Sequence, residues 1–281
     1  MTSNVWLAPA KLNLFLHVIG QRADGYHVLQ TVFQFLGRSD RIRFTVRRDR
    51  VVRRTSDVNG VEPKDDLVVR AARSLQSATG TSLGADIDLE KRLPVGAGLG
   101  GGSSDAATTL VALNQLWALD LSRQTLADIG LSLGADVPVF IYGRSAWAEG
   151  VGEELTPLTL DEPWFLVIQP PCTVSTAEVF NAPDLTRNTP PIKIRAFLAG
   201  GGRNDCEAVV RARYPEVAEV LDWLANRVEA RMTGTGGCVF AKFDSERMAR
   251  EILIEVPNRW KGFVAKGMNR SPLLDRVDNE A

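Results

Sequence analysis

The amino-acid sequence predicts an α+β protein with two domains. The chain has 281 residues, and since a domain usually holds about 100 to 200 residues, this length suggests two of them. Segments with strand periodicity alternate with segments of helical periodicity in both halves of the chain. A glycine-rich, charged segment at residues 148–154 separates the halves. We therefore expect one domain over residues 1–155 and another over residues 156–281.

Strand and helix patterns succeed one another in the first half. Residues 11–18 alternate strictly between apolar and other side chains, which is typical of a half-buried strand. Ile42, Phe44 and Val46 alternate with arginines and predict a second strand of the same sheet. The remaining expected elements are a helix over 67–75, a strand over 85–90, an amphipathic helix over 103–117 and a helix from about Ser122 that stops at Gly134.

The second half shows a similar succession. A fresh apolar run at residues 164–168 predicts a strand, and a proline at position 215 splits two helices. The last expected elements are a strand over 238–243, a helix over 245–256 and a strand over 262–266.

Composition excludes several classes of protein. The net charge is −1, so the chain has no global field that would gather nucleic acid or a membrane surface. Only two histidines occur, His17 and His27, which argues against multi-histidine metal sites. Three widely spaced cysteines without a C-x-x-C motif suit reduced thiols. The N-terminal residues form no apolar h-region, and no long apolar stretch occurs. We therefore expect a soluble cytoplasmic protein.

The most informative segment is LPVGAGLGGGSSDAA, residues 93–107. Five glycines precede two serines, and a helix follows at once. Backbone without side chains can approach a ligand closely, and the free N–H groups of a helix N-terminus bind phosphate. The segment therefore predicts a phosphate-bearing ligand. A flexible loop with a Ser or Asp helix cap is the structural alternative.

Two familiar nucleotide motifs do not explain this segment. The chain contains no Gly-Lys dipeptide, so a P-loop is excluded. A G-x-G-x-x-G pattern does occur, but the nearest acid at the required distance, Asp120, has no strand before it, and Pro94 interrupts the approach to the turn. Hydride transfer is therefore a distant alternative.

Three ordered motifs resemble those of the GHMP kinases, the superfamily of galactokinase and of homoserine, mevalonate and phosphomevalonate kinases. They are PAKLNL (residues 9–14), the glycine segment and TGTGGCVF (residues 233–240). ADGYH, GADVPVF, AEGVGE, RNTP and FVAKG further resemble the branch that phosphorylates a cytidine diphosphate sugar alcohol in the non-mevalonate route to isoprenoids. The resemblance implies a ribosomal-S5-like N-terminal domain, a ferredoxin-like C-terminal domain and a site in the cleft between them.

Phosphoryl transfer requires held phosphates, neutralised charge and a positioned hydroxyl. Lys11 and Asn13 share one strand face, and Asp136 lies on a turn before Pro138. The resemblance implies that Lys11 and Asp136 are the catalytic pair, with Asp136 either accepting the hydroxyl proton or only orienting the hydroxyl. A solvated lysine and a turn aspartate are the structural alternatives.

The resemblance also implies the binding residues. His27 would recognise a cytosine ring between Tyr26 and Phe180, with Asn13 and Phe33 nearby, although Phe33 also fits simple core packing. Asp66 stands where the family commonly has an asparagine that reads adenine. ATP with Mg²⁺ is the implied cofactor, with Ser104 favoured over Ser103 as a contact to phosphate or metal. The implied ATP-binding residues are Asp66, Lys91, Pro94, Gly96, Gly98, Leu99, Gly100, Gly101, Gly102, Ser103 and Ser104.

Two alternatives stay open. Eight arginines between positions 38 and 54 suggest an RNA-binding patch, but their alternation with apolar residues favours the wet face of a strand. The other alternative is a GHMP kinase for a different alcohol, such as mevalonate or homoserine.

Overall fold

The computed structural model of the chain describes residues 5–58, 61–62 and 64–280. The first four residues and the last residue, which our sequence predictions include, lie outside this part. Ten strands and ten helices form within it. The strands are β1 (Trp6–Gln21), β2 (His27–Arg47), β3 (Val52–Arg54), β4 (Gly84–Glu90), β5 (Ala146–Glu149), β6 (Glu154–Pro157), β7 (Trp164–Gln169), β8 (Ala230–Thr233), β9 (Cys238–Phe243) and β10 (Lys261–Met268). The helices are α1 (Leu67–Thr79), α2 (Gly101–Leu116), α3 (Arg123–Leu131), α4 (Val137–Tyr142), α5 (Thr176–Phe180), α6 (Ile194–Leu198), α7 (Glu207–Arg213), α8 (Pro215–Ala225), α9 (Glu246–Glu255) and α10 (Pro272–Glu280).

The strands of the two halves are joined through β2. This strand pairs antiparallel with β1, β4 and β5, and by two residues with β10. From β10 the antiparallel order continues through β7, β9 and β8. β3 runs parallel to β4, and β6 pairs with β5. Strands and helices of both halves thus confirm the predicted α+β class.

Apolar side chains gather in separate clusters along this sheet. One cluster packs α1 to α4 against β1, β2 and β4, and a second packs α7 to α9 against β7 and β9. A third, the central cluster, combines Leu12 and Leu36 from the first half with Phe165 and Phe240 from the second. Position 155 lies inside β6, and the division of the chain there stays a prediction.

The prediction that β1 is half-buried is wrong. Side chains of both alternating sets are buried, including Lys11, Asn13 and His17. A register shift between Asn13 and Leu16 inserts an extra residue, so that Leu12 belongs to the central cluster while Leu16 packs with the second one. A bulge re-aims side chains in this way, and strict alternation in the sequence does not reveal it.

Helix boundaries in the first half differ in two places. The helix from Ser122 ends at Leu131, with Ser132 as a right-handed C-cap, so Gly134 is not its left-handed stop. The helix expected to be amphipathic, α2, is buried on nearly all sides from Ser104 to Leu113, because α1, α4 and β1 pack around it. In the second half, the predicted split at Pro215 and the predicted helix over 245–256 are confirmed: Pro215 begins α8, and α9 follows Ser245, which is its N-cap.

Helix α10 was not anticipated. Its Leu273 is buried in the first cluster, and the guanidinium of Arg276 lies 3.9 Å from the ring centroid of Trp6 in β1. The helix therefore packs with the opposite end of the chain. No helix of the described residues is long and apolar enough to cross a membrane.

Two glycine-containing loops touch backbone to backbone. The first is the glycine loop, residues 94–100, and the second is the opposing loop, residues 233–237, which starts at the last residue of β8. A Cβ atom on Gly98 would lie 2.8 Å from the carbonyl oxygen of Thr233, and one on Gly237 would lie 2.4 Å from the backbone of Ala97. Real Cβ atoms do not approach backbone this closely, so both positions require glycine.

Gly237→Ala tests this contact. We expect the substitution to lower the free energy of unfolding by about 1–3 kcal/mol, because the methyl group overpacks against rigid backbone. Chemical denaturation measures the change. Gly20→Ala is the matched control, since a Cβ there meets nothing nearer than 3.9 Å. Equal stability of the two variants would contradict the close contact.

Candidate active site

A cavity of about 730 Å³ lies between the glycine loop and the residues around His27. This volume is in the usual range for a small-molecule site. All but one of the expected site residues line it, and the exception is Ser104. Those that line it are Lys11, Asn13, Tyr26, His27, Phe33, Asp66, Lys91, Pro94, Gly96, Gly98, Leu99, Gly100, Gly101, Gly102, Ser103, Asp136 and Phe180, and Asp105 lines it as well.

Lys11 and Asp136 meet at this cavity. The ammonium Nζ of Lys11 lies 3.0 Å from Oδ2 of Asp136, and the lysine side chain is 3% exposed while that of the aspartate is 34% exposed. Asp136 occupies the N-cap position of α4 but makes no capping hydrogen bond. Its carboxylate is therefore free to pair with the lysine and face the cavity, which a capping aspartate could not do equally well.

A chain of hydrogen bonds through Asn13 and Thr31 fixes the ammonium of Lys11. Nζ donates to Oδ1 of Asn13 at 2.5 Å, and the Asn13 amide donates to the hydroxyl of Thr31 at 3.0 Å. The Thr31 hydroxyl in turn donates to the carbonyl of Phe15. The ring of Phe33 lies 5.0 Å from Nζ, within cation–π range. Lys11 therefore keeps one orientation, which the sequence pattern indicated only as a shared strand face.

The glycine loop leads directly into α2. Gly96, Gly98 and Gly100 have φ angles near +70°, a conformation that favours glycine. Gly100 is the N-cap, with no side-chain cap. The alternative of a loop closed by a Ser or Asp cap is therefore wrong. The uncapped N–H groups of the first helical turn border the cavity and suit an anion.

The two serines of α2 lie in different surroundings. Ser103 lines the cavity. Ser104 is fully buried, does not line the cavity, and its Oγ has no partner in the described part of the chain. The geometry thus favours Ser103 as the contact to a ligand, against the expectation from the resemblance.

Asp66 is already engaged by other groups. One carboxylate oxygen caps α1 through the N–H of Val68 at 3.0 Å, and the other pairs with the guanidinium of Arg54. Both side chains are almost fully buried. Because its acceptors are occupied, Asp66 would contact a purine only by sharing them, and its predicted role in ATP binding stays a prediction.

Lys91 lies between two buried carboxylates, Asp40 and Asp105. Its ammonium donates to both, at 2.7 Å for Asp105. Burial opposes the charge on Lys91, but the two carboxylates outweigh burial and raise its pKa. Burial raises the pKa of Asp105 well above its usual range, and Lys91 only partly offsets this. Sequence reasoning missed both aspartates, because contacts 51 and 14 residues apart leave no local signal.

The rings of His27 and Phe180 are stacked, with centroids 4.9 Å apart and planes inclined by 22°. Tyr26 is 62% exposed. In this geometry Phe180 covers His27 directly. The cytosine sandwich between Tyr26 and Phe180 stays a prediction.

Arg187 of the RNTP motif contacts His27 and was not among the expected site residues. Its Nε donates to Nε2 of His27 at 3.1 Å, and its other nitrogens donate to carbonyls of Phe180, Ala182 and Leu185. Since Nε2 accepts, the neutral imidazole carries its proton on Nδ1. Burial lowers the pKa of His27, and the guanidinium lowers it further.

Four of the eight arginines behind the RNA-binding alternative form ion pairs. Arg43 pairs with Asp88, and Arg47 and Arg53 pair with Asp86. Arg54 is buried against Asp66. This pattern matches the predicted wet face of a strand more closely than a free basic patch.

Comparison of the chain with known protein families and structures identifies the GHMP kinases. Residues 66–144 match the model of the GHMP kinases N terminal domain, and residues 190–262 match that of the GHMP kinases C terminal domain. A mevalonate kinase from Methanococcus jannaschii shares the fold at 16% identity, with a TM-score of 0.68 over 94% of this chain and 98% of that one. The fold and the site thus define a GHMP kinase, which confirms the resemblance seen in the three motifs.

Relatives of higher sequence identity identify the branch of the superfamily to which the chain belongs. A 4-diphosphocytidyl-2-C-methyl-D-erythritol kinase from Halorhodospira halophila is 59% identical over 96% of this chain and 95% of its own, and one from Ectopseudomonas mendocina is 58% identical over 96% and 93%. A crystal structure of 4-(cytidine 5'-diphospho)-2C-methyl-D-erythritol kinase is 34% identical, with a TM-score of 0.79 over 94% of this chain and 98% of that one. The chain belongs to the family of 4-diphosphocytidyl-2-C-methyl-D-erythritol kinases.

Arg187→Met tests the electrostatic link to His27. We expect the pKa of His27 to rise toward its ordinary value of about 6.5, because a nearby positive charge is removed. A proton NMR titration measures it, and the chain has only two histidines to assign. His17, which faces Arg203 and Asp205 instead, is the internal control. An unchanged or lower pKa for His27 would contradict the contact.

Proposed function

We propose that the protein transfers the γ-phosphate of ATP to the 2-hydroxyl of 4-(cytidine 5'-diphospho)-2-C-methyl-D-erythritol, a step of the non-mevalonate pathway to isoprenoid precursors. The observation that carries the proposal is the Lys11–Asp136 pair, 3.0 Å apart, in a cavity that the glycine loop borders. The family of the chain supports the choice of alcohol.

The protein's own groups account for the main requirements of the reaction. The glycine loop and the first turn of α2 present backbone N–H groups to the phosphates of ATP. Lys11, held by Asn13 and Asp136, places a fixed positive charge beside the transferring group. Asp136 accepts a hydrogen bond from the hydroxyl group of the alcohol. This bond aims the hydroxyl oxygen at the γ-phosphorus of ATP, in line with the leaving ADP.

Recognition of the cytidine end falls to the residues around His27. The neutral imidazole, with Nδ1 carrying the proton, offers one donor to a base. Phe180 and the exposed ring of Tyr26 supply flat apolar surfaces for stacking. In this proposal Asn13 and Phe33 border the sugar alcohol near Lys11.

Mg²⁺ belongs to the proposal as the partner of ATP. No group of three or more His, Cys, Asp or Glu side chains that could hold a metal occurs among the described residues. Such a group is not required, because Mg²⁺ keeps several waters and takes further ligands from substrate phosphates. The Ser103 hydroxyl at the cavity fits as a single protein ligand. When bound, Mg²⁺ neutralises phosphate charge.

We also propose that the protein works in the cytoplasm. Three free cysteines support this location. Cys206 and Cys238 are buried, and burial raises the pKa of Cys206 to about 12, so these thiols are unreactive small apolar groups that need no oxidising compartment.

An ATP-consumption assay with three alcohols tests the substrate. We expect turnover with the cytidine diphosphate methylerythritol and none with mevalonate or homoserine, because only the first offers a base to the His27 region. Phosphorus NMR of the product locates the new phosphate. Turnover of mevalonate or homoserine instead would replace the proposed substrate while leaving a GHMP kinase.

Variants of Asp136 test the catalytic pair. We expect Asp136→Ala to lower kcat by about 10²–10⁴-fold, with the KM for ATP nearly unchanged, because the residue faces the hydroxyl and not the nucleotide. Asp136→Asn separates the two roles left open by the sequence. A large loss indicates a proton acceptor, and a small loss indicates an orienting group.

Asp88→Asn serves as the control for these variants, because Asp88 pairs with Arg43 on the surface of β4. Wild-type kcat for Asp136→Ala would remove Asp136 from the mechanism.

A further inference from the structure

The two carboxylates on Lys91 are not equivalent. Asp40 accepts from three donors: the ammonium of Lys91 on Oδ2, and the backbone N–H groups of Arg92 and Leu93 on Oδ1, at 2.5 and 2.7 Å. Asp105 accepts only from the ammonium, and its Oδ1 has no partner among the described residues. Both side chains are almost completely buried.

This difference decides where the negative charge resides. Burying two carboxylates beside one ammonium leaves an excess negative charge, which is costly without further donors. Asp40 has donors for both oxygens, and these hydrogen bonds offset the cost of burying its charge. Asp105 has a donor for only one oxygen among the described residues, and burial raises its pKa well above the usual range. A neutral Asp105 would relieve the excess negative charge.

Asp40 also controls the start of the glycine loop. Asp40 accepts hydrogen bonds from the backbone N–H groups of Arg92 and Leu93, the two residues immediately before Pro94, where the glycine loop begins. Its other oxygen accepts from the ammonium of Lys91, a residue that lines the cavity. A Cβ on Gly101, the first residue of α2, would lie 3.4 Å from that ammonium. One buried carboxylate thus ties together the loop entrance and the cation beside the first helical turn.

We propose that Asp40 is a positioning residue for the nucleotide, which holds the entrance of the glycine loop and the Lys91 ammonium in one arrangement, while Asp105 serves only as a neutral neighbour. This inference rests on the proposed use of ATP. Asp40 itself touches no ligand in this scheme and acts through the loop and Lys91.

Asp40→Asn and Asp105→Asn form the test. Asparagine at position 40 keeps the volume but turns an N–H donor toward either Lys91 or the loop. We expect the KM for ATP to rise about tenfold or more, as for the loss of a hydrogen bond to a charged group, with the KM for the alcohol within about twofold. Asparagine at position 105 mimics the neutral acid, and the KM for ATP then rises less than about threefold.

A double-mutant cycle with Lys91→Met distinguishes positioning from a merely structural role. If Asp40 acts partly through the lysine, Asp40→Asn raises the KM for ATP less in the Lys91→Met background than alone. Thermal unfolding of each variant accompanies the kinetics. Asp86→Asn is the matched control, an ion-paired aspartate of the neighbouring strand β4 outside the cavity.

Several outcomes would overturn the inference. Unchanged KM for ATP in Asp40→Asn, a loss of stability alone, or an equal or larger effect of Asp105→Asn would each do so. If Asp40→Asn does not fold, the KM for ATP of Asp105→Asn still tests the inference. A charged Asp105 would make that KM rise strongly, whereas a neutral Asp105 leaves it within about threefold of the wild-type value. Failure of the proposed function differs from all of these, since the wild-type protein itself would then not consume ATP.

Discussion

The close approach of the glycine loop to the opposing loop is the constraint on which the rest of the site depends. The backbone at Gly98 and Gly237 meets backbone from the other loop at distances that no side chain permits. The contact brings residues more than 130 positions apart into one wall of the cavity. The glycines of the two motifs thus have different surroundings: several line the cavity, and Gly98 and Gly237 lie against backbone of the opposite loop.

Charge in the cavity is arranged as buried, individually compensated groups and not as a general field. Lys11 pairs with Asp136 and is held by Asn13, and Lys91 pairs with Asp40 and Asp105. Each ammonium is pre-oriented, so little reorganisation is needed when a phosphate group arrives. This arrangement fits a protein whose net charge is only −1, because the cations act at distances of a few ångströms.

Local sequence signals predicted the elements that depend on local physics. Pro215 begins a helix and Ser245 caps one, as their chemistry requires. The glycine loop and its helix were predicted in the same way, whereas Lys11 and Asp136 were implied by the resemblance to the GHMP kinases. The bulge after Asn13, the burial of both faces of β1 and the pairing of Asp40 with Lys91 were not, because they depend on which distant segments pack there. Arg187 lay in a motif, but only its contact with His27 revealed its role.

The position of α10 has a consequence for synthesis of the protein on the ribosome. The cluster that contains Trp6 is completed by Leu273, and Arg276 donates to the carbonyl of Val5. The strand that carries Lys11 is therefore synthesised long before α10, which covers part of its apolar surface. Until α10 is synthesised, the part of β1 that this helix covers stays exposed, and nascent chains with exposed apolar surface are aggregation-prone. Recovery of folded protein should thus depend on chaperone capacity and on the rate of translation.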